Sequence, residues 1–119
     1  MAVIVFLSDH DPSGHDLERA WRQAMDDFGV WGCIFVRIAL TADQVTDPGL
    51  DLDRLSIEVK PSDSRSKAFI GEYGGRCWEA DVLPAAVIAA AIDAEIESWL
   101  DIKQWKRRST EIERARSLL

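Results

Sequence analysis

The sequence predicts a small α/β domain with a mostly parallel sheet of two or three strands and a helical C-terminus. Three observations predict it. Val3–Leu7 and Cys33–Leu40 are short apolar runs rich in β-branched and aromatic residues, as in strands buried on both faces. A helical pattern joins them, and strand–helix–strand crossovers of this kind are right-handed in nearly all cases. From Ala85 onward the pattern is helical to the end of the chain.

The first strand stops at Ser8 and delivers two alternate carboxylates, Asp9 and Asp11, before Pro12, Ser13 and Gly14 turn the chain. Open α/β sheets build their sites at this place, on the loops beyond the carboxyl ends of the strands. Ser13 is the expected N-cap, with Asp16 three residues on in a capping-box-like arrangement. The helix then points its positive end back at the loop, which favours anions. Two carboxylates about 6 Å apart repel by roughly 3 kcal/mol at an effective dielectric near 20. A pair held beside a buried strand therefore recruits a counter-charge, and hard oxygen ligands select magnesium, manganese or calcium. The competing reading is a solvated loop with no site. His10 and His15 flank the turn rather than share a helix face, so they are expected beside a site rather than as its ligands.

Leu17, Ala20, Trp21, Ala24, Met25 and Phe28 form one apolar stripe of the following helix, which Gly29 ends. Trp21 and Phe28 are expected in the core. Arg37 interrupts the second strand and either pairs with a carboxylate at the sheet edge or lies over an exposed face. Thr41–Val45 reads as a short capped helix, ended by the turn at Asp47-Pro48-Gly49. Leu55–Lys60 alternates well enough for a short edge strand. Ser62 or Asp63 caps a helix to about Tyr73, stopped by Gly74-Gly75.

Glu79 and Asp81 follow as alternate acids beside Trp78. Glu79 fits either a further metal carboxylate or a cap for the next helix, where Pro84 suits the first turn. Ala85–Leu100 narrows to Ile88, Ile92, Ile96 and Trp99, the pattern of a helix buried against the sheet. From Asp101 a charged helix carries Trp105, Ile112, Ala115 and Leu118 on its apolar side.

The 119 residues suffice for one domain with a modest core. Residues 1–119 are read as that single domain, with the site motifs in 3–84 and helices in 85–119. No apolar run is long enough to span a bilayer, and no basic segment precedes the first one. Cys33 and Cys77 are two small thiols rather than a disulfide framework. The expected setting is cytoplasmic, without membrane attachment.

The net charge is −7, but residues 103–119 hold six Lys or Arg against two Glu, and the rest of the chain is near −11. An acidic body has no general attraction for a phosphate backbone, since that affinity comes from Lys and Arg. Nucleic acid would meet it only through metal ions or a partner. The basic helix, with Lys103, Trp105, Lys106, Arg107 and Arg108, is either a small contact surface or a solvated face.

The run SDHDPSG, Ser8–Gly14, is similar to the second acidic motif of Toprim domains, especially the topoisomerase VI A-subunit type and related phage and bacterial proteins. The resemblance continues in register through RIAL (Arg37–Leu40), KPSDSR (Lys60–Arg65) and EYGGRCWEADVLP (Glu72–Pro84). It implies a Toprim-like, Rossmann-like three-layer domain in which Asp9 and Asp11 bind magnesium, or manganese, beside a phosphodiester. Lys60 and Arg65, with Ser13 and Gly14, are the implied phosphate contacts, and Glu79 joins Asp9 and Asp11 as a catalytic residue. Toprim enzymes also use a glutamate on an earlier strand, and only Met1 and Ala2 precede Val3 here. The chain is thus expected to be the C-terminal half of a Toprim unit, completed by its other half or a second copy and inactive alone.

A nuclease- or primase-type role on DNA or RNA follows from the resemblance. Topoisomerase action does not, because the nucleophilic tyrosine of those enzymes sits on a separate domain and Tyr73 reads as packing. The alternative is a non-catalytic Toprim module that serves in assembly. Phosphatases of the haloacid dehalogenase class also place D-x-D after a strand, but Pro12-Ser13 departs from their pattern.

Overall fold

The computed structural model describes residues 2–30, 32–100 and 102–119. Strand β1 (Ala2–Leu7) leads through the acidic loop into helix α1 (Pro12–Asp27), and β2 (Cys33–Ala39) returns parallel to β1. The register runs from Ala2 opposite Cys33 to Phe6 opposite Arg37, with a bulge that sets Leu7 against Ala39. Helix α2 (Ala42–Thr46) follows, capped by Thr41 in a complete capping box with Gln44.

The next segment yields a 3-10 turn over Asp53–Leu55 and a two-residue strand, β3 (Ile57–Glu58). β3 pairs antiparallel with β4 (Arg76–Cys77) and forms a separate ribbon instead of extending the parallel sheet. Helix α3 (Ser66–Tyr73) lies between them and stops at Gly74, whose φ of 93° favours glycine. A further 3-10 turn (Ala80–Val82) precedes α4 (Ala85–Trp99) and α5 (Ile102–Ser117). The expected start of the last helix at Asp101 lies outside the described residues. The fold is mixed α/β, as expected, with two parallel strands. Among the described residues, no helix is long and apolar enough to cross a membrane.

Burial departs from the sequence reading in three places. No residue of β1 is fully buried, although β2 beside it holds the buried Ile38 and Ala39. The main core instead lies beyond the carboxyl ends of β1 and β2, where Ala39, Leu40, Val45, Leu52, Trp78 and Leu83 cluster.

The α1 stripe is the second departure: Leu17, Trp21 and Phe28 are exposed, not core. The helix turns its polar side to β2, with the Arg22 guanidinium 4.7 Å from the Phe35 ring centroid and bonded to the Phe35 carbonyl. Helix α4 is the third. Val87 and Ile88 pack on the core, but none of its residues is buried and Ile96 and Trp99 are exposed. The radius of gyration, 18.8 Å, exceeds the ~13.5 Å of a compact chain this long, and the extents are 64 × 39 × 21 Å.

Candidate functional site

The acidic loop is built by its own backbone needs. Asp11, not Ser13, caps α1: its Oδ1 accepts from the Gly14 N–H at 2.6 Å, and Pro12 takes the first helical position. Pro12 has no N–H to satisfy and fixes the helical φ, so the helix starts before the serine that the sequence pattern favours. Ser13 Oγ donates to Asp11 Oδ1 at 3.5 Å, and Asp16 pairs with Arg19 rather than closing a capping box.

Asp9 Oδ1 accepts from the Ala80 N–H at 2.6 Å, across 71 residues. It thereby caps the 3-10 turn that Glu79 precedes. The His10 backbone exchanges two hydrogen bonds with Trp78 beside it, at 2.9 and 3.0 Å. Asp9 and Asp11 are therefore acceptors for backbone N–H groups, where the sequence leads to the expectation of a repelling pair that recruits a counter-charge. Asp9→Ala should cost about 1–2 kcal/mol in urea denaturation, the usual cost of a lost cap.

Behind the loop, the Arg37 side chain is 11% exposed and donates to three carbonyls: Leu40 at 2.7 Å, Asp9 at 2.6 Å and Ser8 at 3.3 Å. Glu18 lies 3.6 Å from its Nη1. Burial pulls the Arg37 pKa down and Glu18 opposes it. Arg37 thus takes the carboxylate-pairing role, and also ties the ends of both parallel strands together.

Sequence reasoning missed a histidine pair. His15 Nε2 lies 2.9 Å from His10 Nδ1, and His10 is buried among Phe69, Tyr73 and Trp78. Tyr73 packs on both imidazoles, in keeping with its expected role. Burial, then the neighbouring histidine and Arg37, hold His10 at about 4 instead of 6.5, against Asp11 and Glu72. Burial and Arg37 hold His15 at about 4 as well. The five-residue spacing across a Pro-Ser-Gly turn was the available signal.

These values predict an acid-sensitive fold. Above pH 6.5 both histidines are neutral in folded and unfolded chains, and the cluster's contribution is complete. Between 6.5 and about 4 the unfolded chain binds protons that the folded one refuses, so stability falls as pH falls. The slope is about 1.4 kcal/mol per pH unit for each proton of difference. Urea midpoints at pH 7 and pH 5 should differ clearly more for the wild type than for His15→Gln. Equal differences would remove the pair from this role.

The structure gathers part of the predicted site. Asp11, Ser13, Lys60, Asp63 and Arg65 line one cleft together with β3 and Cys77. Arg65 is paired with Asp63 at 2.7 and 2.9 Å, and its guanidinium holds the Asp63 carboxyl down to about 2. Glu79 is exposed and does not line this cleft, and neither Gly14 nor Asp9 does. Burial raises the Cys77 thiol pKa, and the charges of Asp11, Asp9 and Glu79 raise it further. Among the described residues, no group of three or more His, Cys, Asp or Glu side chains is placed to hold a metal ion. No family model, curated protein or solved structure matches the chain.

Proposed function

We propose that the chain is a Toprim-like module in which Asp9 and Asp11 bind magnesium or manganese for phosphodiester chemistry on nucleic acid, of nuclease or primase type, within a larger assembly. The observation that supports it is the shared cleft: Asp11, Pro12 and Ser13 face the Lys60–Arg65 segment across one opening, with Asp9 next to it in the chain but outside the lining. The donor set fits the ion. Magnesium keeps several waters and takes one or two protein carboxylates plus substrate phosphate, so a full cage of acids is not required. One oxygen of each aspartate is held by a backbone N–H, which fixes the carboxylate's direction.

When bound, the ion would polarise a phosphoryl oxygen. Ser13 and Lys60 would contact phosphate directly. Arg65 would do so by leaving Asp63. Gly14 serves differently, by letting the helix start close to the loop. Glu79, exposed beside the turn that Asp9 caps and outside the cleft, would take part only through solvent.

The second reading is a non-catalytic assembly module, favoured by the backbone roles of both aspartates and by the open strand edges. Asparagine separates the two, because its side-chain oxygen keeps each hydrogen bond and removes the charge. Magnesium should raise the melting temperature of the wild type and leave Asp9→Asn/Asp11→Asn unchanged, as binding to the native state alone requires. Equal manganese affinity of both proteins by calorimetry would exclude the metal site.

A further inference from the structure

We infer that two copies of this chain pair reciprocally, α1 of each seated on α5 of the other, independently of the reading proposed for the acidic loop. Helix α1 presents Leu17, Trp21 and Phe28 on one face, with Trp21 54% and Phe28 85% exposed. Helix α5 presents Trp105 and Ile112 at seven-residue spacing, 59% and 54% exposed, and Leu119 follows seven residues on, just past the end of the helix. Trp21 and Phe28 repeat that spacing, and the two helices have sixteen residues each, about 24 Å of matching length. The α1 row is contiguous, the α5 row is interrupted by Arg108 and Ser109, and exposed apolar rows rimmed by charge mark interaction sites.

Charge selects the partner. Residues 12–27 carry four acidic against two basic side chains, and residues 102–117 carry six basic against two acidic. Unlike helices therefore attract, whereas an α5–α5 pair places two strongly basic helices together. Helical spacing sets Asp16 and Asp27 along one flank of the α1 stripe, and Arg108 and Arg116 beside the α5 stripe. Each copy offers one face of each kind, so two copies satisfy all four faces and close with twofold symmetry. Residues 103–119 are exposed apart from the half-buried Ser109, so α5 is accessible to a neighbour, with Trp105 edging a cleft against Ile96 of α4 and Leu100.

Sedimentation of the full chain should give a dimer. Leu17→Ser/Trp21→Ser and Trp105→Ser/Ile112→Ser each break both seams, and each should raise the dimer dissociation constant at least about 100-fold. An equimolar mixture of the two variants retains one intact seam, α5 of the first on α1 of the second, and should regain dimers that neither forms alone. Far-UV circular dichroism checks that each variant is folded. Arg108→Glu/Arg116→Glu, which changes exposed residues only, should weaken the dimer in the same direction. A monomeric wild type, whether α5 stays free, folds back on its own α1 or waits for a polynucleotide, overturns the inference. So does a variant that remains dimeric, or a mixture that does not recover.

Discussion

Replacing Gly14 by alanine is expected to destabilise the protein by roughly 3–5 kcal/mol. A Cβ at this position would overlap the Asp9 carbonyl oxygen and crowd Asp11 Oδ1 at 2.9 Å. Relief requires moving either the start of α1 or the Asp9 backbone, and both are pinned. The Asp9 carbonyl accepts from Arg37, its side chain accepts from Ala80, and the next residue is bridged to Trp78. The Gly14 N–H is held by Asp11. The helix-propensity gain of alanine, at most about 1 kcal/mol, is too small to offset this.

Gly71 is the control. It lies inside α3 with nothing within 4 Å of a built Cβ, so Gly71→Ala should stabilise by about 0.5–1 kcal/mol. Urea denaturation of the two variants at pH 7 decides the matter. A Gly14→Ala protein within about 1 kcal/mol of the wild type would mean that the loop and helix are not locked together as described.

What the sequence made legible follows from how local each signal is. The βαβ unit, the Thr41 cap and the Gly74 stop depend on neighbours within a few residues, and they are found within one or two residues of their expected places. The Asp9–Ala80 bond joins residues 71 apart, and no periodicity marks it. The α1 stripe shows the reverse difficulty. Its spacing identifies an apolar face but not what covers it, and here Arg22 and Glu18 turn inward while Trp21 faces outward. The acidic loop was legible as a place, beyond the first strand. Its division of labour was only half so: Asp11 caps its own helix through Gly14 three residues on, whereas Asp9 is claimed by Ala80, which no local pattern marks.

Arg37→Met should cost about 3–5 kcal/mol, through lost bonds rather than lost volume. Methionine fills much of the same space, but the Leu40 and Asp9 carbonyls lose short charge-assisted donors and Glu18 loses one of its two cations, keeping only Arg22 at 3.7 Å. Glu18 Oε1 and Arg37 Nη1 are already buried without a hydrogen-bond partner, so their contact is electrostatic and vanishes with the guanidinium. Removing one member of a buried pair costs more than the pair contributes, because the remaining charge stays desolvated. Glu18→Gln alone should cost less, since Arg37 keeps its three carbonyls, and Arg37→Met/Glu18→Gln should be more stable than the two single costs summed. Arg37→Lys keeps the charge but reaches at most part of the carbonyl set, and should fall between methionine and the wild type. Because the Asp9 carbonyl is one of the three acceptors, the same variant should loosen the acidic loop and shorten amide exchange protection at His10 and Trp78. A methionine variant of wild-type stability would show that the guanidinium does not hold the strand ends, and the coupling to Glu18 measured in the same cycle would then be near zero.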